Sequence, residues 1–228
     1  MDIFQNSWLV VSAVWPGMLL GTGLLIVAAG AGVALTQVPT LPLVRSVRWW
    51  VRHVAMTVIR SPRFTVRATL IFANNSLVLA TLVALGAWPW ISIIAVAVLG
   101  LNLGIGLPLL ATETEGHFLP TLERLHAEPE RAAMRRRLRL GLTLNLFEPP
   151  AIMMAIGLSL QRATLSYSAA MVWETFLIWI VPMTLVAAGG EAMWLGTVRG
   201  DATETPNLQE PDESSPQNRP SDQGEPPP

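Results

Sequence analysis

Two glutamates, Glu148 and Glu191, lie inside stretches otherwise apolar enough to cross a bilayer, nine and eight residues from Arg139 and Arg199, the arginines that end those stretches. At about 1.5 Å per residue both carboxyls would sit roughly 12 to 14 Å in from the same membrane face. An ionised carboxylate at that depth costs about 2.5 to 3.5 kcal/mol even on lenient insertion scales, so a compensating interaction is required. Amides fall in the same slab. Asn74 and Asn75 follow Arg67 by seven and eight residues, Asn102 precedes Glu113 by eleven, and Asn145 precedes Glu148 by three, on the same helical face.

Prolines accompany this polar layer. Pro149 and Pro150 lack the N–H groups that would bond the carbonyls of Asn145 and Leu146; Pro108 does the same to Gly104, and Pro182 to Ile178. Helix kinks are expected at all four prolines, and irregular backbone at membrane depth requires burial in protein or a wet cavity. Three uses of the layer follow: hydrogen-bonded glue between helices, a contact for another subunit, or a path for protons or cations.

Hydrolytic chemistry finds little support. His53, His117 and His126 all fall in the segments between apolar blocks, no HExxH occurs, and Ser159, Ser166 and Ser168 lie near the outer end of the fourth block with no histidine on that side. P-loop, dinucleotide and EF-hand patterns are missing, and without cysteine a thiolate metal site is impossible. The expectation is a non-enzymatic protein with no metal and no cofactor.

The elements that must position the layer are membrane spans. Of 228 residues, 51% are hydrophobic and only 14% charged, against about 25% charged in a typical soluble domain. Five apolar blocks occur, at 8–35, 69–87, 90–111, 141–160 and 172–198, each near or above the roughly 20 residues a helix needs to cross. The predicted fold is therefore all-α and polytopic, with a helical membrane domain over 1–199 and a tail over 200–228. The tail holds seven prolines, seven acidic residues and one aliphatic residue, Leu208, a composition expected to remain disordered. Residues 1–7 carry no positive charge, so the first block is expected to be a retained span, with Trp15-Pro16-Gly17 as the point where a lead-in would meet a span starting near Pro16.

Fourteen of the fifteen basic residues, all arginine, lie in 36–68, in 112–140 or beyond the last block; only Arg162 falls on the other side. This bias predicts an outside N-terminus and a cytoplasmic C-terminus in the plasma (inner) membrane. It also accounts for the basic clusters without nucleic acid. Within 43–60, Arg45, Arg48, Arg52 and Arg60 share one helical face, while Leu43, Val47, Trp50, Val51, Val54 and Val58 share the other. Such a helix either lies in the interface with its arginines toward anionic lipid headgroups, packs on the protein's own spans, or docks in a partner's groove. Gly17 and Gly21, Gly100, Gly104 and Gly106, and Gly189-Gly190 offer small faces for close helix approach.

The run NLFEPPAIMMAIGL, with Glu148, Pro150 and Ala151, resembles the signature of the stage II sporulation protein M family. FANNSLVLATLVALG, with Asn74 and Asn75, resembles the family's asparagine-bearing span, and IVPMTLVAAGGEAMWL, with Glu191, its closing helix. The resemblance covers about 70–198; Leu144-Asn145 stands where the family usually has a His-Gly pair. It implies an all-helical polytopic protein that serves as a subunit of a cell-envelope complex, with partners such as a cell-wall hydrolase or an AAA-type ATPase.

Overall fold

The computed structural model describes residues 2–124, 128–162, 164 and 167–199; the proposed tail at 200–228 lies outside them. The described residues are helical, without a strand. Five helices are long and apolar enough to cross a membrane: Trp15–Leu35, Phe64–Leu85, Pro89–Thr112, Arg139–Gln161 and Ala169–Thr197.

The first apolar block is two helices. α1 (Ile3–Ala13) ends at Val14, and α2 (Trp15–Leu35) begins with Pro16 in its first turn, where a missing N–H breaks no helical bond. The span is therefore shorter than 8–35, and α1 packs on the last apolar segment. There the Trp179 indole N–H donates to the Ser7 hydroxyl at 3.1 Å, and the Trp8 and Trp179 rings lie 6.0 Å apart.

The amphipathic segment forms a continuous helical run: α3 (Pro42–Trp50), a π-helical stretch Val51–Ala55, and α4 (Met56–Arg60). Its buried residues are Val44, Val47, Val51 and Met56, spaced three, four and five apart. The widened turn explains the last interval, because one extra residue moves the inward position from Ala55 to Met56. Leu43, Trp50 and Val54 of the apolar face are exposed. Val44, Val47 and Val51 pack with Ile105, Leu35 and Leu109, so this edge lies on the protein's own spans. Trp49 and Trp50 face outward beside it.

α5 (Phe64–Leu85) turns at Gly86–Trp88 into α6 (Pro89–Arg124). The buried Ser92 hydroxyl donates to the Leu85 carbonyl at 3.0 Å, satisfying one group at the end of α5. α6 runs on for 36 residues, and α7 (Glu128–Asn145) starts soon after it. The connection predicted over 112–140 is thus largely helical. Pro108 leaves α6 unbroken, since a single lost bond inside a long helix is carried by its neighbours.

α8 (Glu148–Gln161) completes the fourth span; α9 (Ala169–Thr175), a π-helical stretch Phe176–Ile180 and α10 (Val181–Arg199) form the fifth. Ser168 caps α9 by accepting the Met171 N–H at 3.3 Å. The π stretch directly precedes Pro182, with the Val181 N–H bonded to Phe176; the proline's missing donor is absorbed by a wide turn without breaking the helix.

Small residues set the packing. A Cβ at Gly104 would overlap the backbone of Ala29, and one at Gly100 would lie 2.6 Å from the Leu25 carbonyl, so α2 and α6 touch backbone to backbone. Gly21 is closed off by Ile156 of α8, and Gly141 and Gly190 each face the other's carbonyl, at 2.9 and 2.7 Å from a built Cβ. Gly106 and Gly189 have no such close neighbour. The main core gathers Leu82, Val96, Ile156 and Ile180 from four helical segments, with Val14 from the turn between α1 and α2.

Candidate functional site

Glu148 stands at a gap in the fourth span. α7 ends at Asn145, α8 begins at Glu148, and Leu146 and Phe147 form a turn in which their N–H groups bond back to Thr143 and Leu144, both at 3.2 Å. With Pro149 and Pro150 unable to donate, bonding of the next helix opens at Ala151, whose N–H reaches the Phe147 carbonyl at 3.4 Å. The expected irregularity is therefore a two-residue interruption of the α-helical bonding at Leu146 and Phe147, with Phe147 still in right-handed helical backbone. Asn145 ends α7 and Glu148, three residues on, begins α8.

The break places Glu148 in the first turn of α8, where the positive end of the helix dipole favours a carboxylate. Its second support comes from α5. The Asn75 amide N–H donates to Glu148 Oε1 at 3.1 Å, and Asn74 donates to Asn75 Oδ1 at 3.2 Å. These two bonds form a directed chain from the face of α5 to the broken span. Asn75 and Glu148 are half-buried, whereas Asn74 is exposed.

α10 closes the third side. Gly190 packs so closely on α7 that a Cβ there would lie 3.0 Å from the Asn145 backbone nitrogen. The next residue, Glu191, is half-buried and accepts no hydrogen bond among the described residues. The Asn145 Oδ1 is buried without a partner. Glu148, Asn74 and Asn75 are thus joined by hydrogen bonds, while Glu191 and Asn145 border the same gap with capacity to spare. Asn102 is separate: its amide donates to the Val98 carbonyl of its own helix at 2.9 Å.

Of the predicted basic face, Arg45, Arg52 and Arg60 are exposed and Arg48 is half-buried. Arg45 is tied to the Thr40 carbonyl by two bonds of 3.1 and 2.9 Å, and the His53 ring stacks on Trp49 at 5.0 Å.

Three polar residues matter more than their sequence positions suggest. Arg67, assigned above to a basic connection, is only 2% exposed and donates to the Ser61 carbonyl at 3.1 Å, holding the turn between α4 and α5. Arg162 donates to the Val83 carbonyl at 3.3 Å near the end of α5, where a cation meets the negative end of the helix dipole. Gln161 joins α8 to the break between α1 and α2: with its amide assigned in the orientation that satisfies both neighbours, the nitrogen donates to the Ala13 carbonyl at 2.8 Å and the oxygen accepts the Gly17 N–H at 2.9 Å. A lone glutamine at the end of an apolar run has no spacing that would mark it.

Comparison with known proteins finds no matching family model, no matching curated protein and no matching solved structure.

Proposed function

We propose that this chain is a non-enzymatic integral subunit of a multi-protein cell-envelope complex, of the kind the stage II sporulation protein M resemblance implies. It sits in the plasma membrane with its N-terminus outside and its C-terminus in the cytoplasm, as the arginine bias favours. The observation that carries this reading is the Asn75–Glu148 bond, which uses an intramembrane carboxylate to tie one span to a broken neighbour. In that role α5, α7–α8 and α10 are a braced platform, and the exposed part of the amphipathic segment meets lipid headgroups or a partner. The partners that fit are other membrane proteins, with a cell-wall hydrolase or an AAA-type ATPase as the specific candidates.

The test is affinity purification of the full chain from its own membranes in mild detergent, followed by mass spectrometry. Stoichiometric co-purifying proteins support the reading; recovery of this chain alone overturns it.

One observation favours a second reading. The Asn145 oxygen at the end of α7 is buried without a hydrogen-bond donor, and broken spans in transporters place their ion sites at such interruptions. In this reading the chain is a transporter or permease subunit that moves an ion or small solute past the carboxylates. It predicts that Glu191→Gln abolishes flux in proteoliposomes at unchanged protein level. No pH-dependent flux under any imposed gradient would remove it.

A further inference from the structure

The outward face of α5 carries a regular seam. Leu70, Asn74, Leu77, Thr81 and Ala84 are all exposed, and they recur at intervals of four, three, four and three residues. That is the a/d spacing of a left-handed coiled coil, sustained over two heptads, or about 21 Å of helix. The Thr81 hydroxyl is already bonded to the Leu77 carbonyl at 2.8 Å, so it presents a largely apolar surface. Asn74 is the exception. One of its N–H groups goes to Asn75, while its carbonyl oxygen receives no donor among the described residues.

An amide with open donor and acceptor capacity, facing hydrocarbon from within a span, lacks the internal satisfaction that a bilayer demands. Its two ends carry opposite partial charges, so two such amides related by a two-fold axis complement each other, N–H to oxygen in both directions. Two copies of one chain insert with the same topology, which makes their α5 helices parallel and puts both Asn74 residues at the same depth. A different protein would need an amide at that depth by coincidence. A single asparagine at an a-type position is also the device that fixes register and favours two strands in parallel coiled coils.

We infer that α5 is a homodimerisation surface: two copies of this chain pack along Leu70, Leu77, Thr81 and Ala84, with the paired Asn74 amides as the lock. The inference goes beyond the proposed function and holds whether or not further proteins join the complex. The lock is anchored from behind, because Asn74 is held by Asn75 and Asn75 by Glu148.

The chain contains no cysteine, so single cysteines report contacts without background. The experiment places one cysteine at Leu70, Leu77 or Ala84 of the full chain and oxidises native membranes. Controls carry it at Leu20 or Val27, which are exposed on α2. Disulfide-linked dimers from the three α5 positions and not from α2 are expected. Photobleaching counts in dilute bilayers should show two copies for the unaltered chain. Asn74→Leu should weaken dimerisation by about 3- to 20-fold, in line with measured interhelical bonds in membranes, and Asn74→Gln should retain it. Equal cross-linking from α2, cross-links to a different protein, monomers at every density, or a dimer indifferent to Asn74→Leu would each overturn the inference.

Discussion

Glu148 is held by an amide from another span, and that bond is the smallest unit on which the account stands. A double-mutant cycle with Asn75→Ala and Glu148→Leu should give a coupling of about 0.6 to 1.7 kcal/mol, the range found for interhelical bonds in membrane proteins. Steric-trap unfolding in bilayers measures it, and additive single effects would show that the bond contributes nothing. Gln161→Leu should lower the midpoint of thermal unfolding in detergent, because the Ala13 carbonyl and the Gly17 N–H both lose their partner; removing one side of such a contact costs about 1 to 3 kcal/mol. The glutamates and asparagines were legible in the sequence because a polar side chain within an apolar run must be satisfied. Their partners were less so. Asn102 shares the predicted depth yet bonds its own helix, and Arg67 was indistinguishable from the loop arginines because its burial depends on how α4 and α5 meet.

Helix contacts in this protein are limited by backbone clearance, and the glycines divide sharply on that basis. Gly104→Val should separate α2 from α6 and lower stability by about 1 to 3 kcal/mol, since the Ala29 backbone cannot move aside as a side chain would. Gly190→Ala should act in the same direction through Gly141, whereas Gly189→Ala meets nothing within 4 Å and should be neutral or slightly stabilising, as alanine favours helix. Thermal unfolding followed by size-exclusion chromatography separates the three. At this scale the apolar blocks marked the spans, and the Pro149-Pro150 pair marked the break. The π-helical stretch Val51–Ala55 had no such marker: no proline lies within it, and it became visible only as a buried face that steps from Val51 to Met56. The helical character of 112–124 was hidden for a different reason, because a polar segment attached to a span can remain helical without an apolar face to announce it.

The whole molecule is a five-span bundle with exposed tryptophans toward both ends, Trp15, Trp88 and Trp90 toward the Arg162 end and Trp49 and Trp50 toward the arginine-rich end, while exposed Trp8 packs on Trp179 within the fifth span. Such aromatic bands fit a bilayer placed between them. Single cysteines at Ser46 and Ala87 should therefore be labelled by an impermeant reagent from opposite faces, Ala87 in intact cells and Ser46 only after permeabilisation; the reverse pattern would invert the proposed topology. The central claim is that the intramembrane carboxylate at the break braces an assembly and does not carry an ion. It is tested most directly by comparing Glu148→Gln with Glu148→Leu in native membranes, measuring recovery of co-purifying proteins and transmembrane flux in the same preparations. The account predicts that Glu148→Gln, which keeps shape and hydrogen bonding, retains its partners, and that Glu148→Leu loses them. Abolished flux with full partner recovery in Glu148→Gln, or equal and severe loss of partners in both variants, would contradict it.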